Sequence, residues 1–172
     1  IRDRPNGVRV LTDVGPTSRS ATVSAWVGVG GRDEPDHLAG ASHFLEHLLF
    51  KGTPTRSALD IAQAFDTVGG EANAATGKEH TAYYARVLDV DLPMAIETIG
   101  DMVTSSLLDP REYETERGVI LEELAAADDD PGDVVHERFA TAVLGHHPLG
   151  RPIGGTSQTI RAVPREAVLE HY

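Results

Sequence analysis

Residues His43-Phe44-Leu45-Glu46-His47, continued by Leu48-Leu49-Phe50, place three ionisable side chains inside an otherwise apolar run. In a helix His43 and His47 fall at i and i+4, with Glu46 within about 100° of both. All three then project from one side, while Phe44, Leu45, Leu48 and Leu49 cover the rest. A helix apolar over most of its circumference is buried against other elements. Taking three such groups out of water costs several kcal/mol unless they are paired or hold a metal ion, so this face demands a partner.

What that partner can be is narrowed by composition. The chain has no cysteine, so disulfides are excluded and any metal site must draw on His and carboxylate ligands. A net charge of -12 argues against nucleic acid and anionic membrane and leaves a basic peptide open. At 172 residues, 40% apolar and 24% charged, the expectation is one domain spanning 1–172. No apolar run reaches membrane-spanning length and no signal-peptide pattern opens the chain. Its start at Ile1 rather than Met leaves room for a missing leader or preceding segment.

Along the chain, Asn6 to Asp13 and Ala21 to Val29 carry strand-like alternation around a Gly15-Pro16 turn, which predicts an antiparallel pair. The polar-faced helix is expected over about 38–50, and a second over 57–68, ended by Gly69-Gly70. Two short strands, 71–76 and 81–88, are joined at hairpin-like spacing. The first is poor in bulky residues, which suits an edge or a place where another backbone approaches closely. An amphipathic helix over 91–106 follows, then one opened by Asp109-Pro110 as cap and first position. The wheel of that helix puts Glu116 and Glu123 on the side of Tyr113, Ile120 and Leu124, facing the core, with Glu122 pointing away. Helices near 132–144, 156–162 and 164–172 complete the order.

Catalytic zinc takes three protein ligands and keeps a fourth position for water, and two His at i, i+4 are a frequent pair. The third ligand must come from elsewhere, and Glu123, a carboxylate on a helix that can pack on the first, is the choice. Glu116 then lies behind as a group that orients a ligand. Glu46, left beside the open position, can act as general base toward a metal-activated water. With 8 His and 13 Glu, chance predicts on the order of 0.03 matches to H-x-x-E-H, so the motif carries weight by itself. The bland reading is a buried helix whose histidines find ordinary partners. It is favoured for His37, His80, His136, His146, His147 and His171.

The H-x-x-E-H motif is the inverted zincin signature, and the chain resembles the pitrilysin-type (M16) metallopeptidases. The resemblance rests on HFLEHLLFKGT from His43, GGEANAATGKEHTAYY from Gly69, ERGVILEE from Glu116 and PLGRP from Pro148. These look most like the mitochondrial processing peptidase β-subunit and its bacterial relatives. In that family the third ligand lies 76 residues after the second His, the interval from His47 to Glu123 here.

The resemblance implies an α+β fold with a mixed, largely antiparallel sheet packed against several helices, one truncated half of a larger two-domain peptidase. It implies a Zn2+-dependent endopeptidase that binds an extended peptide as an added strand along Gly70, Glu71, Ala72, Asn73, Ala74 and Ala75. Asp133 and Glu137 match positions that receive substrate arginine. Expected partners are the peptide substrate and a second M16 half, either a C-terminal domain or another subunit, a second copy included, with neither nucleic acid nor membrane. A bacterial cytoplasm is the expected setting, or a mitochondrial matrix for a eukaryotic chain. The alternative is a non-catalytic scaffold or partner subunit of the same fold, which has no need to retain His43, Glu46, His47 and Glu123.

Overall fold

The computed structural model describes residues 1–172. Its first element is a small hairpin of β1 (Arg2–Asp3) and β2 (Arg9–Val10). A sheet of β3 (Ser20–Val27), β4 (Glu71–Thr76) and β5 (Thr81–Leu88) follows, in the antiparallel order β3-β5-β4. Helices α1 (Ala41–Leu49) and α2 (Ala58–Asp66) fall between β3 and β4. After β5 come α3 (Leu92–Ser105), α4 (Pro110–Asp129), α5 (Pro131–Leu144), α6 (Ser157–Ala162) and α7 (Arg165–His171). The fold is α+β, and no helix is long and apolar enough to cross a membrane.

Local chemistry accounts for most boundaries. Ser57 and Asp60 form a reciprocal capping box at α2. Asp109 accepts from the Arg111 and Glu112 amides ahead of α4, with Pro110 supplying a first position that needs no donor. Asp130 and Pro131 repeat the device at α5, which explains why the acidic run 128–130 is a helix junction and not a ligand cluster.

The expected pairing of 6–13 with 21–29 is not formed. Asn6-Gly7 is instead the turn of a local hairpin, with Gly7 at φ +87°, the Arg4 amide donating to the Val8 carbonyl and Arg9 bonded to Asp3 at 2.8 Å. The β3 strand pairs along its whole length with β5, Val27 opposite Thr81 and Ser20 opposite Leu88. Local closure of a short turn costs little chain entropy, so the Asn-Gly turn captures the first strand.

The core joins sheet and helices through Phe44, Leu48, Leu49, Ile61, Phe65, Tyr83, Ala85, Ile99, Met102, Tyr113 and Ile120. Its centre is a stack of Phe44 on Tyr113, ring centroids 4.4 Å apart and 11° from parallel. Tyr113 donates to the Val163 carbonyl at 2.9 Å, and the Arg117 guanidinium lies 4.9 Å above the Tyr113 ring. These contacts fix α1 against α4, which is what brings the two polar faces together.

Candidate metal centre

The polar helix α1 begins without a side-chain cap of its own. Gly40 takes the left-handed conformation at φ +97°, where an added Cβ would lie 2.6 Å from the Gly154 carbonyl oxygen. The free amides at this end are met from a distance by the buried Glu34 carboxylate, which accepts from Gly40 at 2.8 Å and Ser42 at 2.6 Å. A negative group at a helix N-terminus is favoured by both hydrogen bonding and the helix dipole. Arg151 braces the same loop, donating to the Gly31 and Glu34 carbonyls and to Asp36.

On α1 and α4, His43, His47 and Glu123 converge. His47 Nε2 is 3.3 Å from His43 Nε2 and 3.4 Å from Glu123 Oε2, and His43 Nε2 is 3.7 Å from that oxygen. Ligand atoms about 3.3–3.4 Å apart are what a tetrahedral ion with bonds of about 2.0–2.1 Å requires, so this donor set fits zinc. It is the one group of three or more His and acidic side chains in the structure arranged to hold a metal ion.

Two expectations about burial are corrected. The three polar groups of α1 are half-buried, His43 and His47 having side chains 22% and 17% exposed. Glu123 does not face the core, for its side chain is 49% exposed. Helix α4 packs on α1, α5 and α6, and Glu123 reaches the histidines from an exposed position on it. Glu116, one double turn back beside Tyr113, is buried as expected.

The two histidines are supported unequally. His47 Nδ1 lies 3.0 Å from Glu116 Oε2, and Glu116 Oε1 lies 2.7 Å from Lys51 Nζ. Burial acts to raise the Glu116 carboxyl, but the hydrogen bonds with Lys51 and His47 outweigh it and hold it below its ordinary value. An ionised Glu116 accepts a proton-bearing Nδ1 and leaves the His47 Nε2 lone pair facing the cleft. By contrast, His43 Nδ1 is buried without a hydrogen-bond partner. Burial, and then the neighbouring His47, push the His43 imidazole below its ordinary value against the pull of Glu46, Glu123 and Glu34. A neutral imidazole keeps its lone pair for a metal ion.

Glu46 makes one side-chain hydrogen bond, at Oε2, to the hydroxyl of Thr76 at the end of β4. The Gly77 amide donates to the His80 carbonyl, extending the β4–β5 ladder. Alternation then turns the backbone groups of Ala72, Ala74 and Thr76 outward to the free edge of the sheet. Asn73 and Ala75 are exposed, Ala74 is buried against the core, and Gly70 is half-buried. The outer edge is partly occupied from within, because the Ala74 amide donates to Asn73 Oδ1 at 2.9 Å. Asp133 and Glu137 are both exposed, one turn apart on α5.

Glu34, Lys51 and Thr76 were not among the residues singled out from sequence. Lys51 could have been, since 43, 47 and 51 repeat at four-residue spacing along one face. Glu34 stands six residues before Gly40, beyond the reach of any capping-box pattern.

The sequence matches the family described as Insulinase (Peptidase family M16) over residues 9–157. An uncharacterized zinc protease of Streptomyces coelicolor is 54% identical over 168 residues, covering 98% of this chain and 37% of that protein. The chain thus spans little more than a third of that relative's length. Among solved structures, a protease from Helicobacter pylori superposes with a TM-score of 0.85 at 26% identity, over 90% of this chain and 38% of its own. Pitrilysin superposes with a TM-score of 0.80 at 26% identity, over 91% of this chain and 17% of its own. Since the family match runs from the first hairpin to the start of α6 and takes in the whole of α1 and α4, the chain belongs to peptidase family M16.

Proposed function

We propose that this chain carries the zinc-binding and proton-transferring groups of a metalloendopeptidase acting on extended, unfolded peptides. The observation that carries the reading is the triangle of His43, His47 and Glu123 donor atoms, with Glu46 on the same helix as the histidines and its charge acting on His43. The zinc-protease relative and the family membership support it. Zinc bound there would supply Lewis-acid chemistry, lowering the pKa of water to about 7 and polarising the scissile carbonyl. His43, His47 and Glu123 would hold it, with Glu116 orienting His47. Glu46, held by Thr76 at Oε2, has Oε1 free of protein partners to take the proton of the attacking water and pass it to the leaving amine.

The outer edge of β4, from Gly70 to Ala75, is the proposed bed for the peptide, with main-chain pairing giving affinity without strict sequence choice. Asp133 and Glu137 are proposed to receive a substrate arginine, and equal cleavage of peptides with and without arginine would dismiss that role. Residues 1–172 are read as most of an N-terminal catalytic domain that works with a second M16 half, a reading supported by the 37% coverage of the Streptomyces relative. Its bacterial source favours a bacterial setting, with the cytoplasm as the proposed compartment.

The test is metal analysis and peptide cleavage on the full-length protein. About one zinc per chain is expected, lost in His43→Ala and His47→Ala. Glu46→Gln is expected to keep zinc while turnover falls by roughly two to four orders of magnitude. A protein that stays metal-free at saturating zinc overturns the reading, and one that binds zinc but cleaves nothing at any chelator concentration supports the scaffold alternative.

A further inference from the structure

Thr76 occupies the one place where the free strand edge and the Glu46 carboxylate meet. Its side chain shares the face of Ala72 and Ala74 toward α1, and its hydroxyl donates to Glu46 Oε2. Its backbone, by the same alternation, belongs to the outward row of β4, while its Cα pairs with Thr81 on β5. β-Branching limits the Thr76 side chain to few χ1 rotamers, so holding its hydroxyl on Glu46 costs little side-chain entropy. Glu46 has no other side-chain partner and no salt bridge, although its residue is half-buried.

We infer that Thr76 is a positioning residue for the reaction, holding one oxygen of Glu46 so that the other faces the cleft, and coupling that orientation to the strand on which the peptide lies. The inference rests on the proposed general-base role of Glu46. A carboxylate on an unbranched side chain samples several rotamers when untethered, and misplacement of a reacting group by about 1 Å can cost on the order of 100-fold in rate. Valine at 76 keeps the shape and β-branching and removes the donor. Serine keeps the donor and removes the methyl.

The experiment compares wild type, Thr76→Val, Thr76→Ser and Glu46→Gln in the full-length zinc-loaded protein by zinc content, kcat, KM and the crystallographic position of the Glu46 side chain. Thr76→Val is expected to keep its zinc and hold KM within about twofold, with kcat lowered ~10–100-fold and the Glu46 carboxylate displaced. Thr76→Ser is expected to restore kcat to within about threefold of wild type. Three results overturn the inference: unchanged kcat in Thr76→Val, loss of zinc in that variant, or failure of serine to rescue. Full turnover in Glu46→Gln would instead overturn the general-base reading, and Thr76 would fall with it.

Discussion

Lys51 Nζ and Glu116 Oε1 lie 2.7 Å apart, and the other oxygen of Glu116 reaches His47. Glu116 is buried, so its charge depends on these two partners. Lys51→Met is expected to weaken zinc binding by about 10–100-fold by disturbing the group that orients His47. Adding Glu116→Gln to it should cost less than the sum of the single changes, since a neutral amide needs no ammonium beside it. Competition titration with a chromophoric chelator measures all three, and strict additivity would separate Lys51 from the site.

Glu122 and Glu123 are adjacent on α4 and both exposed, yet only Glu123 reaches the histidines. Glu123→Gln should reduce zinc occupancy well below one per chain, while Glu122→Gln leaves it unchanged. Equal loss in both variants, read by metal analysis, would point to bulk charge in place of a defined ligand.

The Glu34 carboxylate serves the first amides of the helix that carries His43 and His47. Glu34→Ala leaves two buried donors unserved and should cost about 1–3 kcal/mol in urea unfolding. Adding zinc should recover part of that loss by mass action, because the ion binds only the folded arrangement. A variant as stable as wild type would mean that water replaces the carboxylate at no cost.

Asp101 on α3 accepts from Thr53 at 2.7 Å, Thr55 at 2.9 Å and Arg56 at 2.7 Å, tying down the link between α1 and α2. The Thr53 hydroxyl foremost, with Thr55 and Arg56 and against partial burial, holds its carboxyl below the ordinary 3.8. A depressed folded-state value means stability that is present above 3.8 and lost as pH falls through the lower value. Asp101→Asn should therefore be less stable than wild type at pH 7 by roughly 1 kcal/mol, with the difference closing below about pH 4. Urea midpoints across that range give the answer; a gap that persists in acid would assign the effect to packing.

Short-range chemistry made much of this legible from the sequence. The Asp109 cap and the glycines after α2 mark helix limits that the structure places within a residue or two of expectation, and α5 likewise starts one residue from where it is expected. The H-x-x-E-H spacing and the wheel position of Glu123 lead to the donor triangle for the same reason, since both are periodic signals within a single helix. Long-range facts were hidden. Nothing local says that β3 takes β5 as its partner, that Lys51 meets Glu116 or that Thr76 meets Glu46. The exposure of Glu123 escapes a helical wheel, which gives direction around an axis and not how far along it the neighbouring helices provide cover.

The bond between the Ala74 amide and Asn73 Oδ1 bears on how any extended chain can settle on the outer edge of β4. A bare edge would gain a hydrogen bond at that amide, whereas here the newcomer must displace a carboxamide already in place. At that position docking is an exchange, close to neutral, and the gain must come from the amides on either side. The strand thereby gains one hydrogen bond fewer by zipping onto a second copy of itself.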